Sequence, residues 1–338
     1  MKTVVSLQDL IDFEIRPRAL LSQYYELTRA SVASIPKASL VHAPCPACAG
    51  DRSDVAFEKV GLSYRLCRAC GSLFLSPRPT ESALTKYYRT SDAARFWREE
   101  IRRETSVMRL EKLTRPRAEW VADALAEHAP HATTALDASP GGSALLTELH
   151  VLWPALTRAT VVHPTADLDL DGDGDGIEVL PVDLVSLGTA QKTDVVIAFD
   201  TIDRAADVGQ LVAQAARVLT PDGLFFVGAS CASGFDVQVL WDRSPTIMPP
   251  DKLNVLSVDG FRQLFSNGGW EILEFSTPGM FDVENVRRAI GADPSGPWPR
   301  AIRQLTSESA ETARGELQEY LQRHRLASFA RLVVRRTS

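Results

Sequence analysis

Thr133-Thr-Ala-Leu-Asp137-Ala-Ser139-Pro-Gly141-Gly-Ser143-Ala-Leu-Leu146 is the stretch on which the fold turns. It reads as a short apolar strand, a tight turn of small residues and the opening of a helix. A turn of this kind at a strand's carboxyl end brings backbone N–H groups and a helix N-terminus against a polar cofactor. Glycine is its usual residue, because glycine tolerates positive φ and close backbone approach. In a G-x-G-x-G frame Gly141 holds the middle, while Ser139 and Ser143 take the outer positions. Whether the turn still serves a cofactor decides the function.

Downstream of this stretch, strand and helix patterns alternate. Strands are expected at Thr134–Asp137, Thr160–Val162, Ile177–Leu180, Asp194–Phe199, Gly223–Ala229, Trp270–Ser276 and Phe329–Arg335. Helices fit between them, notably Asp207–Leu219 and, after a Ser257 cap, Val258–Phe265. Such alternation predicts an α/β fold with a mostly parallel sheet covered on both faces. Val195-Val-Ile-Ala and Leu224-Phe-Phe-Val have the continuous apolar character of buried parallel strands. Ligands then bind beyond the carboxyl ends of the strands. The acidic run Asp167–Gly176 imitates a calcium loop, but its twelfth position from Asp171 is Val182, not the bidentate Glu that such a loop needs. It reads as a flexible acidic connection.

Upstream lie two knuckles, Cys45-Pro-Ala-Cys48 and Cys67-Arg-Ala-Cys70. The spacing matches a four-thiolate zinc ribbon, in which each knuckle aims two sulfurs at one ion. A closed tetrahedron leaves no position for water or substrate, so this zinc folds the segment and does no chemistry. Redox-active pairs are disfavoured, since no βαβ pattern surrounds them. Residues 5–33 read as a helix interrupted at Pro17, and a further helix is expected near Glu81–Tyr88. Tyr87 and Tyr88 suit packing. Residues 92–128 form a long Arg- and Glu-rich helical region broken near Pro116, whose mixed charges read as a solvated face.

The whole chain has 338 residues, 45% hydrophobic and 24% charged, which bounds it to about two domains of ordinary globular composition. A formal net charge of -6 gives no general pull toward nucleic acid or anionic membrane. No apolar run is long enough for a membrane span, and a cytoplasmic location is expected. The fifth cysteine, Cys231, reads as a buried, inert thiol. His128 and His131 read as surface residues.

These residues resemble a family: the class I S-adenosylmethionine (SAM)-dependent methyltransferases that carry an N-terminal zinc-binding segment. The likeness runs from about Cys45 to the C-terminus. It rests on the two knuckles followed by Ser76-Pro-Arg-Pro-Thr-Glu and Lys86-Tyr-Tyr, on Arg217-Val-Leu-Thr-Pro-Asp-Gly223, on Pro249-Pro-Asp-Lys-Leu-Asn254, and on Ser276-Thr-Pro-Gly279-Met-Phe-Asp282. The resemblance implies a Rossmann-like seven-stranded sheet with an antiparallel last strand. It divides the chain into a helical segment (1–40), a zinc ribbon (41–76), a helical connector (77–130) and a methyltransferase domain (131–338) with a helical insert at about 277–328. It implies SAM as cofactor, beside structural zinc on Cys45, Cys48, Cys67 and Cys70. Asp137, Ser139, Gly141, His163 and Asp183 would contact SAM, and Asp200 and Arg204 would border the acceptor.

The chain departs from the family where SAM would sit. Ser139 and Ser143 replace glycines, His163 replaces the acid that accepts both ribose hydroxyls, and Arg204 replaces a histidine and is no base at neutral pH. Two functions follow. One is methylation of a small molecule, such as a sugar nucleotide or natural-product intermediate. The other is a degenerate methyltransferase fold serving as a binding or scaffolding subunit, alone, as a homo-oligomer or with a protein partner.

Overall fold

The computed structural model describes residues 12–165, 176–188, 192–307 and 311–337. The acidic run and residues 5–11 of the first expected helix therefore lie almost wholly or wholly outside the described residues. Within them, helices Asp12–Ile15 and Arg18–Ala33 meet at Pro17, which caps the second one. A ring without an N–H fits the start of a helix and not its interior.

Thirteen strands are described: β1 (Leu40–Val41), β2 (Ser53–Lys59), β3 (Leu62–Cys67), β4 (Leu73–Leu75), β5 (Arg78–Pro79), β6 (Thr134–Asp137), β7 (Arg158–Val162), β8 (Ile177–Leu180), β9 (Thr193–Phe199), β10 (Leu219–Ser230), β11 (Asn254–Val255), β12 (Trp270–Ser276) and β13 (Phe329–Arg336). Seven form one sheet in the order β12-β13-β10-β9-β6-β7-β8. β13 runs antiparallel to both its neighbours, and the remaining pairs are parallel. This is the Rossmann-like seven-stranded sheet with an antiparallel last strand that the sequence leads one to expect. Chain order reverses at β6, so a crevice opens between the carboxyl ends of β6 and β9.

The sheet is buried on both faces. Val196, Ala198, Phe225 and Val227 point into one core and Val195, Ile197, Leu224 and Phe226 into the other, as strict alternation requires. Helix Val208–Val218 covers the first face with Val208, Leu211, Val212, Ala215 and Val218, a stripe at helical spacing. Helix Arg115–His128 covers the second with Trp120, Val121, Ala124 and Leu125. Asp207 and Ser257 cap their helices by accepting the N–H groups of Gln210 and Gly260.

A second sheet, β11-β4-β3-β2, holds the cysteine segment. Its edge strand comes from far along the chain: Asn254 pairs with Phe74 and Val255 with Leu73. Residues 92–128 are helical apart from a turn at Thr105 (φ -100°), with two wider π-turns, Trp97–Arg102 and Leu110–Thr114, inserted. Pro116 does not break this run. It occupies the first turn of Arg115–His128, directly after the second π-turn, where a missing N–H is tolerated.

Candidate active site and metal centre

Both cysteine knuckles fold into the same turn. The N–H of Ala49 donates to Cys45 O and that of Gly71 to Cys67 O, and the residue after each knuckle is left-handed, Ala49 at φ 55° and Gly71 at φ 70°. The four sulfurs lie within 4.8 Å of one another, with Cys45–Cys70 and Cys48–Cys67 separations of 3.5 Å. Tetrahedral zinc at its usual bond length places sulfurs about 3.8 Å apart. The donor set and its spacing therefore fit zinc.

The glycine turn begins where β6 ends. Asp137 is buried, and its Oδ1 accepts the Ser139 N–H at 2.8 Å. Burial pushes this carboxyl up to about 6, against the hydrogen bonds from Ser139. Ser139 Oγ accepts the Phe199 N–H at 2.9 Å, tying the turn to the end of β9. The positions that need glycine are Gly141 (φ 144°) and Gly142 (φ 71°). Ser143 has φ -81°, open to any residue. The expectation that Ser139 and Ser143 spoil the turn is thus corrected: the positive-φ positions stand at 141, the middle of the G-x-G-x-G frame, and at 142, one step outside it. Ser139→Gly removes a buried acceptor from a backbone N–H, and is expected to lower stability by about 1–3 kcal/mol. Urea unfolding at neutral pH measures this loss.

His163 follows β7 and Asp183 follows β8. Together with Arg204, Tyr88 and Glu81 they line a small cavity of about 110 Å³. His163 Nδ1 accepts the Thr165 N–H at 3.3 Å and lies 2.9 Å from Thr165 Oγ1. That leaves the ring proton on Nε2, a donor where a ribose-binding carboxylate would accept twice. Burial, then Arg204 and Arg102, push His163 down to about 3. Its unfolded form takes up a proton near pH 6.5, whereas the folded form stays neutral until about pH 3. The contribution to stability is therefore lost as pH falls through that window, by about 3 kcal/mol at pH 4. Melting curves of the protein and of His163→Gln between pH 7 and 4 are expected to show the variant losing less. Asp183 is engaged locally, accepting both the N–H (2.6 Å) and the hydroxyl (3.0 Å) of Ser186.

Asp200, at φ 58°, sits at the turn after β9. Its Oδ2 is 3.1 Å from Arg117 Nη2 and its Oδ1 is 3.8 Å from Lys252 Nζ. Burial would raise this carboxyl, but Arg117, Lys252 and Arg204 together hold it down to about 2. Arg204 pairs with Asp251 at 3.2 Å and lies 5.3 Å over the Tyr88 ring. A second cavity, about 210 Å³, brings Asp200, Arg204, His163 and Gly141 to one space. The largest, about 520 Å³, lies over Asp137, Ser139, Gly141 and Asp200 and is roofed by Pro278–Phe281. Pro140 lines all three. Asp183 alone stands apart from the larger two.

Several residues of this site escape a sequence reading. Arg102, Arg109 and Arg117 face the largest cavity, whereas Arg103, Glu104, Glu111 and Arg115 are exposed. The solvated-face reading holds for one side of these helices only. The spacing of seven and eight residues between the inward arginines is the signal that separates the sides. His128 is likewise no surface residue: its Nε2 is 3.3 Å from Oε1 of the buried Glu274, which also accepts from Trp120 Nε1. His131 is exposed. Cys231 is buried, and burial pushes its thiol up to about 12, leaving it inert as expected.

The chain is similar in part to known proteins. Residues 116–274 match a family model described as a methyltransferase domain. A search of curated proteins finds no significant match. The solved structures that the chain is similar to include the plantazolicin methyltransferase BpumL with SAH (12% identity, TM-score 0.46, 75% of this chain and 94% of that one). They also include the mitomycin 7-O-methyltransferase MmcR (15%, 0.47, 96% and 70%). A third is the sugar N-methyltransferase KedS8 from Streptoalloteichus sp ATCC 53650 (21%, 0.31, 37% and 52%). Among the described residues, no helix is long and apolar enough to cross a membrane.

Proposed function

We propose, from a chain whose residues 116–274 match a methyltransferase domain, that it transfers a methyl group from SAM to a small-molecule acceptor such as a sugar nucleotide or natural-product intermediate. The observation that carries this reading is the turn after β6. Gly141 and Gly142 keep their left-handed conformations beside a cavity of about 520 Å³ at the sheet's switch point. Asp137, Ser139 and Gly141 would hold the amino-acid end of SAM, with His163 and Asp183 on the adenosine side. Asp200 and Arg204 would border the acceptor. Bound SAM supplies an electrophilic methyl on a sulfonium. The chain's own part is positioning, because methyl transfer needs in-line approach more than acid–base work. Asp200, held ionised by Arg117 and Lys252, would offer a fixed negative charge to a cationic cofactor. Zinc on Cys45, Cys48, Cys67 and Cys70 would hold the second sheet without touching the reaction.

A second reading, a binding subunit without SAM, draws on His163. A neutral imidazole whose Nδ1 is taken by Thr165 cannot accept from either ribose hydroxyl. Calorimetric titration with SAM and with S-adenosylhomocysteine separates the two readings. The expected result is binding in the micromolar range. Absence of heat up to millimolar ligand, with folded, zinc-replete and cofactor-free protein, establishes the scaffold instead.

A further inference from the structure

We propose that Glu127, His128 and Glu274 form a second metal site, which takes a divalent ion of the zinc class more weakly than the four cysteines do. Their ligand atoms lie within 4.8 Å of one another. None of the three residues lines a cavity described above. Glu274 carries the argument. Its side chain is only 5% exposed, and among the described residues no lysine or arginine pairs with it. The strand is distorted to bring it there. Ile272 packs into the core on the first face of the main sheet and Leu273 into that on the second. Strict alternation would turn Glu274 back to the first face. Instead the β12–β13 register slips between Ile272 and Glu274, and the carboxyl reaches Trp120 and His128 on the helix of the second face. A bulge of this kind re-aims a side chain.

The re-aimed carboxyl is also oriented. Its Oε2 accepts the Trp120 Nε1–H at 3.1 Å, which leaves Oε1 facing His128 Nε2 at 3.3 Å. Glu127 Oε1 stands 3.9 Å from the same nitrogen. A charge-assisted pair in direct contact closes to about 2.7–2.9 Å. Around a tetrahedral ion at about 2.0–2.1 Å, neighbouring nitrogen and oxygen ligands stand about 3.3–3.4 Å apart. The spacing of Glu274 and His128 is therefore that of two ligands, and the exposed Glu127 needs only a small shift to join them. Trp120 serves as the outer partner that holds a ligating carboxylate in place. His128 ends the helix Arg115–His128, where the partial negative charge of a helix C-terminus favours a cation. One imidazole with two carboxylates suits zinc, nickel or cobalt over magnesium, which prefers an all-oxygen octahedron. With three protein ligands in place of four thiolates, the ion leaves on dialysis, and metal analysis then counts the cysteine-bound ion alone.

The test is calorimetric titration of the dialysed, zinc-replete protein with zinc chloride in a non-chelating buffer. One further ion is expected to bind in the micromolar range and to raise the melting temperature, whereas magnesium at about 1 mM does neither. His128→Gln is expected to weaken binding at least about tenfold, and so is Trp120→Phe, which keeps an aromatic ring and removes the orienting N–H. Glu127→Gln is expected to weaken it less. Melting curves without added zinc confirm that each variant folds. No second ion up to about 1 mM zinc, a range in which even weak binding registers, overturns the site. Equal binding of magnesium overturns it too. So does affinity unchanged in His128→Gln or, should that variant not fold, in Glu127→Gln. The three side chains would then be no more than a polar clasp between helix and strand.

Discussion

Cys67→Ser, or exhaustive chelation of the wild-type chain, is expected to abolish cooperative folding and not merely lower the melting temperature. A structural zinc contributes on the order of 10 kcal/mol or more to the fold that holds it. A whole domain is stable by only about 5–15 kcal/mol. Loss of the ion therefore competes with the entire margin. The damage cannot stay local, because Cys45, Cys67 and Cys70 belong to the same buried cluster as Phe225, Phe261 and Phe265 of the main sheet and its covering helix. The helix cap Ser257 also reaches the knuckle directly: its hydroxyl donates to Cys70 O and its N–H donates to Ser72 Oγ at 3.0 Å. Metal analysis is expected to find one zinc per chain, falling together with near-ultraviolet circular dichroism on chelation. Metal-free protein that melts as the holoprotein does would falsify the assignment.

Lys252→Met is the second change of large expected effect. Asp203 is fully buried on the turn after β9. Its carboxylate accepts the Ser230 N–H at 3.0 and 3.2 Å and the Ser230 hydroxyl at 3.1 Å, and pairs with the Lys252 ammonium. Removing the lysine strands a buried carboxylate, a loss of about 3–5 kcal/mol. Burial already pushes Asp203 upward, against the pull of Lys252, so the stranded group is expected to take up a proton. A carboxyl raised in the folded state stabilises below its unfolded value and loses that contribution as pH rises through the folded one. The defect of Lys252→Met is thus expected to shrink as pH falls from 7 toward 5, and to be largely repaired by a second change, Asp203→Asn. Urea unfolding at the two pH values measures both effects. An equal defect at both would mean that the lysine acts through packing.

The sheet was legible because its signal is local and repetitive. Val195-Val-Ile-Ala and Leu224-Phe-Phe-Val announce buried strands, and the ends Asp137 and Phe199 fall where the alternation places them. The cysteines were legible for a related reason, since two knuckles carry their own geometry. The candidate site was legible only in part. Asp200 and Arg204 were placed at the right turn, yet their partners Arg117, Lys252 and Asp251 come from segments 83, 52 and 47 residues away, and no local pattern encodes such pairs. The glycine turn was misread by one position because spacing shows which residues are glycine, while the backbone decides which positions must be. The inward arginines hid among outward glutamates, because charge composition carries no direction.

The pairing of β11 with β4 has a consequence for the order in which the molecule is built. Phe74 and Asn254 stand 180 residues apart in the chain. The cysteine sheet's first three strands leave the ribosome well before the fourth, which cannot join until Val255 has emerged. At roughly 5–20 residues per second, that gap lasts on the order of ten to forty seconds. Throughout it the β4 edge stands bare, with Leu73, Phe74 and Leu75 not yet covered, the kind of edge that invites wrong pairing. Early zinc capture would hold the two knuckles together over this interval. The ion's service would then be as much to the nascent chain as to the finished one.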